Sequence, residues 1–183
     1  MTAHPAGRYE IELIDEPCYT IGSADNVRDY TREYLLCDGR PSSRHGVICR
    51  EGTHVKGTAV LLAGGGCTGV HDSSLLALDE HVYVAVGDQV ACLEFPQLLL
   101  AWNVEGDEAT VFGIHATPQR DGLIVHGELL VSRMTLDGEI VWSAGGADIF
   151  TGKLVVADNH VRVSDFQEHE YGFDLITGRE VST

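Results

Sequence analysis

The chain has 183 residues, 44% apolar, 7% aromatic and 22% charged, enough for one sizeable globular domain and too apolar for a disordered chain. Its 21 glycines show no triplet repeat and no apolar run reaches membrane-spanning length, which excludes collagen-like and helical membrane classes. With 28 acidic against 12 basic residues the net charge is −16; this field repels phosphate backbones, so neither nucleic acid nor a membrane is expected as a partner.

In chain order, strands are expected at 8–14, 46–50 and 56–63, where apolar and β-branched residues cluster. Between them, Ser23 followed by Val27, Tyr30, Tyr34 and Leu35 has helical spacing behind an N-cap residue, which predicts a short helix. Residues 40–44 read as an exposed loop. The last N-terminal strand runs into Gly64, Gly65, Gly66 and Gly69, and then into His71, Asp72, Ser73 and Ser74.

From residue 82 onward the chain resembles itself at a shift of about forty residues, the signature of repeated supersecondary units. Gly87 falls on Gly127, Trp102 on Trp142, and the Thr177-Gly178 turn on Asp137-Gly138. Leu136-Asp137-Gly138-Glu139-Ile140 predicts a hairpin, because glycine adopts positive φ without strain. With further strands at 110–115 and 153–157, each unit holds about four short strands, the content of one propeller blade.

Gly138-x-x-x-Trp142, after a strand ending Met134, Thr135, Leu136, Asp137, resembles the repeat of quinoprotein-type (PQQ-like) β-propellers, and Thr177-Gly178 keeps that family's Thr-Gly turn. The resemblance spans about residues 80–182 and implies that Trp142 and Trp102 pack between neighbouring blades. It departs at Phe95-Pro96-Gln97, where the glycine turn belongs, and at Ser182, where a tryptophan belongs. No vicinal cysteine pair of the kind that serves that family's cofactor site occurs, so the resemblance implies architecture and not redox chemistry; no cofactor is expected. The expected fold is all-β, a small or incomplete β-propeller-like array of about 40-residue antiparallel units. It forms a single domain over 1–183, with a divergent N-terminal segment at 1–63 and three units in 64–183. Such repeats must stack to bury their faces, so the N-terminal segment is expected to supply a divergent fourth blade or a cap, or else a second chain covers the edge.

The five cysteines Cys18, Cys37, Cys49, Cys67 and Cys92 are irregularly spaced and partly inside apolar runs, which points to a reducing compartment. The first residues lack the apolar core of a secretory signal, so a cytoplasmic location is expected. Two chemistries could use the glycine-rich segment. Gly65-Gly66-Cys67-Thr68-Gly69 has the spacing of a cysteine nucleophile elbow, with His71 and Asp72 as base and orienter. Alternatively, His45-x-x-x-Cys49 and Cys67-x-x-x-His71 make a Cys2His2 set that zinc accepts, although a four-residue step on a strand spans about 13 Å and both pairs would have to sit in loops. The plain alternative is a blade connection whose glycines allow close backbone packing. His81, His115, His126 and His160 recur near strand ends and read as structural, while His126, Glu128, His169 and Tyr171 could line a rim pocket.

Two functions follow. The first is a non-catalytic protein-interaction or ligand-binding module whose partner is another protein or a second copy, with an immunity-type protein facing a basic toxin as one form. The alternative is a small hydrolase or zinc-binding enzyme centred on Cys67, His71 and Asp72.

Overall fold

The computed structural model describes residues 1–182; Thr183, the last residue of the third repeat unit, lies outside it. Four sheets follow one another along the chain. The first contains β1 (Thr2–Ala6), β2 (Tyr9–Asp15), β3 (Arg32–Leu35), β4 (Ser43–Glu51) and β5 (His54–Ala63), in the order β1-β2-β4-β5-β3. The second is β6 (Leu75–Leu78), β7 (His81–Val86), β8 (Gln89–Glu94) and β9 (Leu99–Glu105), and the third is β10 (Val111–Ala116), β11 (Gly122–Gly127), β12 (Leu130–Thr135) and β13 (Ile140–Gly145). The fourth is β14 (Val155–Val156), β15 (His160–Ser164), β16 (Glu170–Asp174) and β17 (Glu180–Val181). The last three sheets are antiparallel meanders in chain order. The repeats are therefore all-β, four strands to a unit.

Residues 1–63 supply the first sheet, which has a different topology. Its outer strand, β3, is borrowed from earlier in the chain and runs parallel to β5, pairing Arg32 with Ala59 and Leu35 with Leu62. The helix expected over 23–35 does not form: residues 16–31 are turns and bends and 32–35 are strand. The two tyrosines that suggested it have separate destinations. Tyr30 packs over Gly46, where a Cβ would overlap its ring, whereas Tyr34 reaches the second sheet, donating to Leu98 O at 3.0 Å and accepting from Leu100 N at 3.1 Å. A helix would place both rings on one face and leave the edge of β5 unpaired.

Side-chain alternation explains the stacking. On β7, Val82, Val84 and Val86 pack on the first sheet while Tyr83 and Ala85 pack on the third, so the strand reads as an unbroken apolar run. On β11, Leu123 and Val125 face the second sheet and Ile124 faces the fourth. On β15, Val161 and Val163 are buried against the third sheet and Arg162 between them is exposed. The fourth sheet thus has one apolar and one polar face. At the other end, Tyr19 and Tyr30 cover Val60 and Leu62 and meet edge to face with centroids 5.5 Å apart. Glu16 pins this cover, accepting from the Tyr30 hydroxyl at 2.7 Å and from Arg28 Nη1 at 2.9 Å.

Tryptophans interlock the sheets. Trp102 of β9 lies over Gly138, the turn glycine of the next sheet, and its indole donates to Leu136 O at 3.2 Å. Trp142 of β13 repeats the contact one sheet later, over Gly178 and donating to Leu175 O at 3.1 Å. Any side chain at either glycine would strike the indole, and both glycines have positive φ. In the first sheet Tyr34 takes the same position. Leading strands touch one another, β1 on β6 and β6 on β10, which places them on the inner side of the arc. Among the described residues, no core cluster, hydrogen bond or ion pair joins the fourth sheet to the first.

Candidate functional site

The glycine-rich segment between the first and second sheets is packed backbone against backbone. Gly64 O accepts from Asp88 N at 3.2 Å and Gly66 N donates to Ala109 O at 2.8 Å. A Cβ on Gly65 would strike Ala109 O, and one on Gly66 would strike the Thr110 hydroxyl. Glycine is needed here because the strand ends of three sheets converge on it. Thr68 turns inward: its N and Oγ1 donate to Ser43 Oγ at 2.8 and 3.0 Å, and Oγ1 accepts from Gly87 N at 3.0 Å.

This geometry divides the residues singled out by the sequence. His45 is fully buried on β4, with Nδ1 3.1 Å from Ala85 O and Nε2 3.2 Å from Thr68 O, so each ring nitrogen lies beside a carbonyl and the neutral ring donates to one of them. Burial, the largest influence, holds its imidazole below the usual histidine range. Cys49 lies two strand repeats further along the same face, inside the core of the first two sheets, and burial pushes its thiol up to about 11. Cys67 is exposed, and no histidine nitrogen hydrogen-bonds to it among the described residues. Asp72 is exposed in the 3₁₀ turn Asp72–Ser74. His71 is the N-cap of that turn, its Nδ1 accepting from Ser73 N at 3.3 Å while Ser74 Oγ accepts from His71 N at 3.1 Å. Thus His45 and Cys49 point into the protein, Cys67 and His71 lie outside, and no three His, Cys, Asp or Glu side chains converge as a metal set among the described residues.

The structure instead gathers histidines in a cleft for which the sequence had singled out His126 alone. A cleft of about 340 Å³ opens between the third and fourth sheets on the inner side of the arc, walled by His71, Phe112, His115, His126 and the 151–154 segment. Three features build it. Gly113 lacks a side chain, so Ser73 can sit against β10, where a Cβ would crowd it; this brings His71 to the cleft. The register of β10 shifts between Val111 and Gly113, and a bulge re-aims the intervening residue; Phe112 meets His126 edge to face at 5.5 Å. Gly113 is paired with His126 and His115 is two residues further along β10, so both histidines occupy one face.

The electronic state of these rings follows from their surroundings. Because His71 Nδ1 accepts a backbone hydrogen bond, the proton of its neutral ring belongs on Nε2, which is left free to donate. His126 is only 8% exposed, and its Nε2 is buried without a hydrogen-bond partner. Burial first, then the neighbouring His115 and His71, lowers its pKa to about 4. His115 is likewise lowered, by burial and by His71. The fourth-sheet wall adds exposed Lys153 and buried Leu154. No carboxylate lines this cleft, whereas four other clefts on the described surface each carry at least one. The remaining rim candidates belong elsewhere: the Tyr171 hydroxyl donates to Asp165 Oδ2 at 2.9 Å and His169 Nδ1 lies 3.4 Å from the same oxygen. One signal in the sequence pointed to the cleft, His115 and His126 flanking a single turn.

No known protein family matches the sequence, and no curated protein is similar to it. Solved structures resemble its fold. BamB from Moraxella catarrhalis aligns at a TM-score of 0.57 and 17% identity over 100% of this chain and 60% of that one. The computationally designed Ika8 aligns at 0.59 and 12% identity, over 98% and 59%. The designed Ika4 aligns at 0.53 and 16% identity, over 62% and 73%. The chain thus spans about three fifths of the length of BamB and Ika8. BamB is a PQQ-like β-propeller and the Ika proteins are designed β-propellers, so the likeness establishes an all-β, β-propeller-like fold.

Proposed function

We propose that this protein is a non-catalytic, β-propeller-like binding module and that the cleft between its third and fourth sheets is the ligand site. The observation that carries the reading is the make-up of the cleft, where His71, His115, His126 and Lys153 share the wall with apolar Phe112 and Leu154. Ligand sites are concave, largely apolar surfaces that carry a few convergent polar groups. The separation of Cys67, His71, His45 and Cys49 supports binding over the hydrolase or zinc-enzyme alternative, since nucleophile, base and ligand sets require convergence.

Thr151 is exposed at the cleft mouth, so Thr151→Trp should fill the cleft without disturbing the core. In a thermal-shift screen of small metabolites, hits should raise the Tm of the wild type and leave the Tm of T151W unchanged. A screen without hits, or hits that stabilise both proteins equally, would refute the assignment.

A further inference from the structure

We infer that the cleft selects a small organic carboxylate, an apolar ring or chain bearing one negative charge. This deepens the reading of the cleft as a ligand site and rests on it. The chemistry is set by the contrast between the cleft and the rest of the surface. The molecule carries a net charge of −16, and anions are repelled from most of it. In this one cleft the wall has no carboxylate and includes the Lys153 ammonium. His71, with Nδ1 committed to the Ser73 amide, keeps Nε2–H as its remaining donor. A carboxylate accepts from all such groups and is bound more strongly by charged donors than a neutral oxygen is.

The opposite requirement comes from Phe112 and Leu154. Their apolar surface needs an apolar ligand body, and Phe112 already stands edge-on to His126, an arrangement that extends to a third ring. A bare inorganic anion leaves this surface wet. A dianion such as phosphate is matched less well by a single ammonium. At about 340 Å³ the space is at the small end of ligand sites, which suits a compact metabolite.

The test uses the full chain and three probes: benzoate, benzyl alcohol and inorganic phosphate. Side-chain ¹⁵N and ¹³C spectra of the histidines and Phe112 are followed at pH 7.5 and constant ionic strength. Benzoate should shift His71, His115, His126 and Phe112 saturably and bind roughly tenfold tighter than benzyl alcohol, a difference a single charge contact can supply. Lys153→Gln should remove roughly that tenfold for benzoate and leave benzyl alcohol unchanged. If benzyl alcohol binds as tightly as benzoate, the carboxylate assignment is overturned while the cleft stands as a ligand site. Phosphate binding tighter than benzoate overturns the organic body. If no probe moves the histidines, both the ligand class and the ligand site fall.

Discussion

His45 and His126 are both buried strand histidines whose titration burial shifts downward, yet the molecule uses them in opposite ways. His45 rivets the glycine-rich connection to the first two sheets, each ring nitrogen facing a carbonyl. His126 lines a cleft, and its Nε2 is buried with no partner in the chain. Burial and pKa are therefore poor discriminators of role when read alone. What separates the two rings is whether the chain itself supplies a hydrogen-bond partner.

The sharpest test of the contrast is His45→Phe, which removes the donor facing Ala85 O and Thr68 O while keeping ring volume. It should cost roughly 1–3 kcal/mol, because a buried carbonyl loses the donor of the neutral ring; urea unfolding at pH 7.5 measures it, and a loss under about 1 kcal/mol would break the comparison. The next effect is on acid stability. The His126 pKa is lowered from 6.5 to about 4 in the folded chain, so between those values the unfolded chain takes up a proton that the folded chain does not. The contribution of His126 is fully present above pH 6.5 and is lost as pH falls through the folded value, amounting to about 3 kcal/mol. Unfolding curves at pH 7.5 and pH 4 should show that slope, and it should be shallower in His126→Phe. An unchanged slope would mean that His126 is already protonated or solvated.

At pH 7.5 the same His126→Phe substitution should change stability by no more than about 1 kcal/mol, since it preserves the edge contact with Phe112 and deletes an unsatisfied buried nitrogen. A large loss would reveal a hydrogen bond that makes His126 another rivet. Smallest of all, Cys67→Ser should lie within about 0.5 kcal/mol of wild type, as exposed positions do. In the native protein an aromatic disulfide reagent should modify Cys67 quickly and Cys49 only on unfolding, because Cys49 is buried with its thiol pushed up to about 11. Rapid modification of Cys49 would show that the first core opens locally.

Much of the fold was legible because its signals are local. The turn glycine and tryptophan of the repeats, Gly138 and Gly178 with Trp102 and Trp142, recur at fixed spacing because each indole needs a Cβ-free turn on the neighbouring sheet. The apolar runs of β7 and β11 are those of strands buried on both faces. The tyrosines at 30 and 34 misled for a physical reason: helical spacing describes where side chains would point if the backbone were helical, and here the two rings serve different sheets. Trp142 could be assigned from the repeat; Tyr34, which takes its place in the first sheet, could not, because β3 enters out of chain order and parallel.

By itself the sequence determined the all-β character, the unit length, the hairpin turns and the acidic surface, all properties of neighbouring residues or of composition. Only the tertiary structure decided which polar groups are free. His71, His115 and His126 come from three separate segments, and they share a cleft because Gly113 admits Ser73 and a register shift re-aims Phe112. Cys67, His71, His45 and Cys49, adjacent by spacing, are parted because Cys49 and His45 share the buried face of β4 while the connection carries Cys67 outward. A hydrogen-bond partner can lie at any distance along the chain, so its presence or absence is not written in local pattern and is settled only when the sheets pack.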